Sequence, residues 1–144
     1  MVAHKQANKM TQKSRYASPL FLELLTDAEG FPLSNKFGNQ LWRLADVFAY
    51  TSAKAEMHIV VPKGFVTDFA SVPRVPFIYD SLGNIAHMPA VLHDYLYSTA
   101  KVSRKLADEV LLEAMEVSGI SWVKRRLIYA GVRLGGGMFY GSSS

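Results

Sequence analysis

The hydrophobic pattern changes its period once along this chain, between Val75 and Pro89, and that change restricts the fold more than any other feature. From Pro19 to Val75 the apolar runs are short and divided by turn formers. Leu20–Leu25, Leu41–Leu44, Val47–Tyr50 and Met57–Pro62 read as strands, the last rich in β-branched residues and ending on proline. Lys63-Gly64 reads as a turn into Phe65–Phe69. From Pro89 the spacing is helical. Pro89 suits the first turn of a helix running through Tyr97. Ser103 caps a second helix from Arg104 to Val117, with Leu106, Val110, Leu111, Ala114 and Met115 on its apolar face, and Gly119 stops it. Ser121 caps a third, from Trp122 to about Leu134. A small antiparallel sheet packed with about three helices is an α+β fold. The link Ser98–Val102 is short, so the first two helices should lie antiparallel.

With 144 residues, 49% of them hydrophobic, the chain can bury one core without staples. The absence of cysteine excludes disulfides, a thiolate zinc site and a cysteine nucleophile. The formal net charge of +4 is concentrated at one end: Lys5, Lys9, Lys13 and Arg15 occur among the first fifteen residues with no acid, while the rest of the chain balances. The expected organisation is a basic arm over 1–17, one globular domain over 18–135 and a Gly/Ser-rich tail over 136–144. Such an arm is a solvated tail or touches an anionic partner. Nucleic acid is not the expected partner, and oligomeric state is left open. No stretch of eighteen residues escapes charge, and the first sixteen lack the apolar core of an export signal. The expectation is synthesis in a cytosol, with no signal peptide and no transmembrane helix.

The densest polar information lies on the first two helices. His93 and Tyr97 are four apart and share a face, while Asp94 is rotated about 100° towards the flank. Asp108 sits on or near the apolar stripe of the next helix, where an unpaired carboxylate is costly. In an antiparallel pair it can reach His93 or Tyr97. An aspartate on one imidazole nitrogen fixes the tautomer and leaves the other nitrogen as a base. The same cluster can equally serve only to hold two helices in register.

A second constellation is Thr67-Asp68-Phe69-Ala70-Ser71-Val72-Pro73-Arg74. Its carboxylate could ligate a hard cation or clamp Arg74, or the stretch could be an ordinary turn closing the sheet. Ser71 is not favoured as a nucleophile, because no Gly-x-Ser-x-Gly elbow surrounds it. His87 lies six residues before His93, so zinc held by His87, His93 and Asp68 or Asp94 is a further option. On the third helix Trp122, Tyr129 and a basic run could face a membrane or a phosphate backbone, or simply pack with the basic face in water. Phe77, Ile78 and Tyr79 could form an exposed apolar patch.

The blocks Val61 to Arg74 and Ala90 to Tyr97, with Arg104, Ala107 and Asp108, resemble domain-of-unknown-function family 1353, found in phages and prophages. The resemblance covers about residues 20–135. It implies a phage or prophage origin, synthesis in the host cytoplasm with later virion association, and no particular activity. The order His93-Asp94-x-x-Tyr97 followed by Asp108 is similar to the active-site pattern of the phospholipase A(2) superfamily. That similarity implies His93 as the base activating water, Asp108 and Tyr97 orienting it, and Asp94 holding calcium. The superfamily's cysteines are replaced here by Pro89, Ala90 and Leu96. Ser81-Leu82-Gly83-Asn84 stands where a glycine-rich calcium loop would, leaving Asp68 to complete the ligand shell. The expected function is a metal-assisted hydrolase of lipid ester or cell-envelope substrates. Calcium is its expected ion, with zinc second, and membrane lipid its partner. Thr67, Ser71, Arg74 and Arg104 are further polar site residues. The alternative is a non-enzymatic virion or tail-assembly protein, with phage structural proteins as partners and the cluster as a polar core.

Overall fold

Six short strands precede four helices in this computed structural model, which describes residues 13–72 and 79–141. The strands are β1 (Arg15–Tyr16), β2 (Leu22–Leu24), β3 (Trp42–Leu44), β4 (Phe48–Ser52), β5 (Met57–Val61) and β6 (Val66–Thr67). The helices are α1 (Tyr79–Leu82), α2 (His87–Thr99), α3 (Arg104–Val117) and α4 (Trp122–Gly135), with 3-10 turns at Gly83–Ala86 and Gly136–Met138. The architecture is α+β. The strands form two antiparallel sheets rather than one, in the orders β1-β4-β5 and β2-β3-β6. Both edges of β3 are filled, by β2 and by β6, so it offers none to β4, which pairs instead with β1 and β5.

Strand β4 is central in its sheet and all five of its residues are buried. Strand β5 alternates, sending Ile59 and Val61 inward and His58 and Val60 outward, as expected of a sheet wet on one side. The inward faces meet the helices. The Tyr16 hydroxyl bonds the Ala114 carbonyl and Ser118, and Tyr50 donates to Glu113. Burial pushes both tyrosine hydroxyls far above their ordinary range, with the Glu113 charge adding to the effect on Tyr50. Arg15 and Tyr16, inside the expected basic arm, are therefore part of the sheet, and Tyr16 packs against the core.

Helix α2 begins at His87, two residues before Pro89, which sits in the first turn where no intrahelical N–H is required. It closes on Ala100 in the left-handed conformation, whose N–H bonds the Leu96 carbonyl. Ser103 caps α3 by accepting from the Leu106 N–H. Ser118 and then Gly119 end α3, with Gly119 at φ +81°, a conformation that costs a residue with a Cβ. Ser121 occupies the cap position of α4, but its side chain makes no capping hydrogen bond. Helices α2 and α3 are antiparallel: His93 meets Asp108, and Tyr97, one turn later, meets Arg104 one turn earlier. Among the described residues no helix is long and apolar enough to cross a membrane.

Candidate functional site

The site forms where α2, α3, α4 and the turn after β6 converge. Helix periodicity places His93 and Tyr97 on the face of α2 that looks at α3, and both are fully buried. Asp108 projects from α3 between them and is 0% exposed. Its Oδ1 lies 2.7 Å from His93 Nε2 and accepts from the Tyr97 hydroxyl at 2.5 Å. Its Oδ2 accepts from the Arg133 guanidinium at 2.6 Å. Arg104 spans to α4, donating to the carbonyls of Val132 and Arg133, and leans on the Tyr97 hydroxyl at 3.4 Å. The Arg133 carbonyl lies in the last turn of α4, where intrahelical partners run out, while the Val132 carbonyl also accepts from the Gly136 N–H.

These contacts decide the protonation states. Burial alone would raise the Asp108 carboxyl, but the hydrogen bonds from His93, Tyr97 and Arg133 outweigh it and hold the group below its ordinary value. Burial lowers His93 despite the nearby Asp108 charge, so the imidazole rests neutral. Burial, reinforced by the Asp108 hydrogen bond, raises the Tyr97 hydroxyl, which stays protonated. An ionised carboxylate on Nε2 requires a proton there, so Nδ1 carries the free lone pair. Nδ1 lies 3.0 Å from the Ser71 Oγ.

Ser71 comes from a strained turn. Thr67 ends β6 and donates to Asp94 Oδ2 at 2.6 Å, while its own Oγ1 accepts from the Phe69 N–H. Phe69 holds φ +59°, a left-handed conformation costing a bulky residue about 1–2 kcal/mol. Such strain persists only where surrounding contacts enforce it. Asp68 Oδ1 accepts from the Ala70 N–H, and its Oδ2 accepts from the Asn35 amide at 2.5 Å. Asn35 in turn accepts the backbone N–H groups of Phe37 and Asn39, so one side chain fastens the preceding hairpin to this turn. Beside this turn lies a cleft of about 440 Å³ whose lining includes Phe37, Asn39, Met138 and Phe139. Asp68, Phe69, Ala70 and Val72 also line it. Ser71, between two cleft residues, points the other way and is 1% exposed.

The structure thus brings together His93, Tyr97, Asp108, Arg104 and Ser71, and joins Thr67 to Asp94 close by. Arg74 lies outside the described residues, as do Phe77 and Ile78. Three contributors escape sequence reasoning: Arg133, Asn35, and Ser71 as the partner of His93. The carboxylate of Asp108 on an apolar stripe was the signal for a buried cation, but nothing local pointed to a residue 25 positions later. The tail residues also join the site, since Gly136 packs against Tyr97 and the Tyr140 ring meets Tyr97 edge-on at 5.4 Å.

The donor set for calcium or zinc does not fit a cation as arranged. Asp94 is engaged by Thr67 and by the hydroxyl and N–H of Ser71; burial raises its carboxyl, those bonds oppose the rise, and the Asp68 charge adds to it. Asp68 is engaged by Asn35 and Ala70. The His87 ring stacks on Phe69 at 4.8 Å, while both His93 nitrogens are engaged by Ser71 and Asp108. Among the described residues no group of three or more His, Asp or Glu side chains is placed to hold a metal ion.

Residues 42–132 match a family described as protein of unknown function (DUF1353), and the chain belongs to that family. The matched region holds the turn after β6, all of α2 and α3, and α4 up to Val132. No curated protein and no solved structure matches the chain.

Proposed function

We propose, for a member of a family whose description carries no activity, that this chain is a hydrolase with His93 as general base. Its substrates would be esters with an apolar group, in the lipid or cell-envelope class. The observation that carries this reading is the disposition of the two His93 nitrogens: Nε2 stands 2.7 Å from Asp108, itself held by Tyr97 and Arg133, and Nδ1 stands 3.0 Å from the Ser71 hydroxyl. A neutral imidazole so held can take a proton from an attacking hydroxyl, and Asp108 then stabilises the imidazolium. Tyr97 positions Asp108. The cleft on the other side of the Phe69–Val72 turn offers an apolar group of the substrate a place to lie, and its volume falls in the range of small-molecule sites. The similarity of the His93, Asp94, Tyr97 and Asp108 order to phospholipase A(2) agrees with this chemistry, as a phage or prophage origin agrees with an envelope substrate. No step of the reading passes through a metal.

The experiment is hydrolysis of p-nitrophenyl esters of graded acyl length by the parent and by His93→Gln, with melting curves on the same samples. The reading expects a folded variant whose turnover falls by about 10²–10⁴-fold, the ordinary worth of a general base. Undiminished turnover in that variant, or a parent inert across the series, overturns it.

The non-enzymatic virion or assembly reading is favoured by a separate observation. Helix α4 leaves Trp122, Val123, Leu127 and Leu134 exposed, and it has basic residues but no acid. An apolar stripe of that kind fits a partner protein. Under this reading His93→Gln loosens the domain, and no ester is turned over.

A further inference from the structure

Resting on the hydrolase reading, we infer that Ser71 is the nucleophile and that the reaction passes through an acyl-enzyme on its Oγ. The turn after β6 sends Ser71 inward between Ala70 and Val72, both of which line the apolar cleft. Its Oγ stands 3.0 Å from His93 Nδ1, and His93 Nε2 stands 2.7 Å from Asp108. The Ser71 hydroxyl has two acceptors within reach, the Asp94 carboxylate and His93 Nδ1, and when it turns to Nδ1 hydroxyl, imidazole and carboxylate form one continuous hydrogen-bonded line, supplied by a turn and two helices. Triads of this kind are recognised by geometry and role, not by the sequence around the serine. That is why the missing Gly-x-Ser-x-Gly elbow does not argue against Ser71. Phe69, two residues earlier, supplies the left-handed bend that turns this short segment back on the helices.

Water is the co-reactant. Ser71 Oγ bonds to the ester carbonyl carbon as its proton passes to His93 Nδ1, and the imidazolium is held by Asp108. Collapse of the tetrahedral adduct breaks the carbon–oxygen bond to the alcohol, which leaves with the proton from Nδ1. Water then attacks the acyl carbon and gives its proton to Nδ1. The acid departs, and Oγ recovers the proton.

The test treats the whole protein with an alkyl fluorophosphonate, follows intact mass, and maps the adduct by peptide fragmentation. Ester turnover and melting are measured in parallel for the parent, Ser71→Ala and His93→Gln. The inference expects one phosphonyl group on Ser71 of the parent, none on His93→Gln, and turnover in Ser71→Ala reduced by on the order of 10³-fold or more. The adduct on the parent stands even if Ser71→Ala folds poorly. Turnover retained in Ser71→Ala but lost in His93→Gln overturns the nucleophile and leaves His93 as a base acting on water. A parent that neither labels nor turns over any ester overturns both.

Discussion

Replacing Asp108 with asparagine changes one buried atom and alters every contact at the centre of the site. The carboxylate is sealed from solvent and accepts from His93, Tyr97 and Arg133. Hydrogen bonds to a buried charge are worth about 1.5–3 kcal/mol each, against about 1 kcal/mol between neutral groups. Neutralising Asp108 therefore costs about 1 kcal/mol at each of the two fully buried partners. Arg133 is partly exposed and can turn to water, so its loss counts for less, but the new amide hydrogens face donors and oppose packing. The sum is about 3 kcal/mol, and for a chain of this size that lowers Tm by about 10 °C. Differential scanning fluorimetry and urea titration at pH 7 read it directly. The same change frees the imidazole to adopt the other tautomer, so ester turnover should fall by on the order of 10³–10⁴-fold. An Asp108→Asn variant melting within about 2 °C of the parent would refute the reasoning, because a charge held by three donors cannot be removed at so small a cost.

Three further outcomes follow from particular contacts. His93 is neutral and buried with its folded pKa below the ordinary value. The unfolded chain therefore binds a proton first as pH falls below about 6.5, and stability declines with acid in that window by up to about 1.4 kcal/mol per pH unit. Asp108, also lowered, adds its own loss below about pH 4, as the unfolded carboxyl protonates before the folded one. Urea titrations at pH 5 and 7 should show a smaller difference in His93→Gln than in the parent; equal differences would contradict a buried neutral histidine. At Gly136 an added Cβ would stand 2.8 Å from the Tyr97 hydroxyl and 3.3 Å from its ring, so Gly136→Ala should destabilise by about 1–3 kcal/mol. A melting curve matching the parent's would show that the tail does not press on the site. A metal at a hundred times its dissociation constant would add about 2.7 kcal/mol. Because Asp94 and Asp68 are already engaged by protein donors, melts with calcium, zinc or EDTA should coincide; a calcium-dependent rise lost in Asp94→Asn would contradict this.

What could be read from the sequence was whatever local spacing determines. The change of period separates strands from helices. Ser103 and Gly119 mark the ends of α3, and the four-residue step from His93 to Tyr97 with an aspartate on the facing apolar stripe places three side chains in contact. Pairings across long separations were not legible. Strand β1 joins β4 through Arg15 and Thr51, and β3 reaches β6 through Trp42 and Thr67, so one expected sheet is two. Ser71 reaches His93 across 22 positions because a left-handed Phe69 bends the turn inward, and no composition rule singles out that conformation at a phenylalanine. Arg133 reads locally as one more base on a basic helix, and only the approach of α4 to α3 brings it to Asp108. Gly136 opens the expected Gly/Ser-rich tail over 136–144, yet it is buried against Tyr97, so close that an added Cβ would collide with it.

The proton on His93 decides whether it can act as a base, and a long-range ¹H–¹⁵N spectrum of labelled protein near pH 7 reports it directly, with His93→Gln assigning the signals. A neutral ring protonated at Nε2, with Nδ1 at the shift of an unprotonated nitrogen, is the predicted result. A ring protonated at Nδ1, or at both nitrogens, would contradict the account, because no lone pair would then face Ser71.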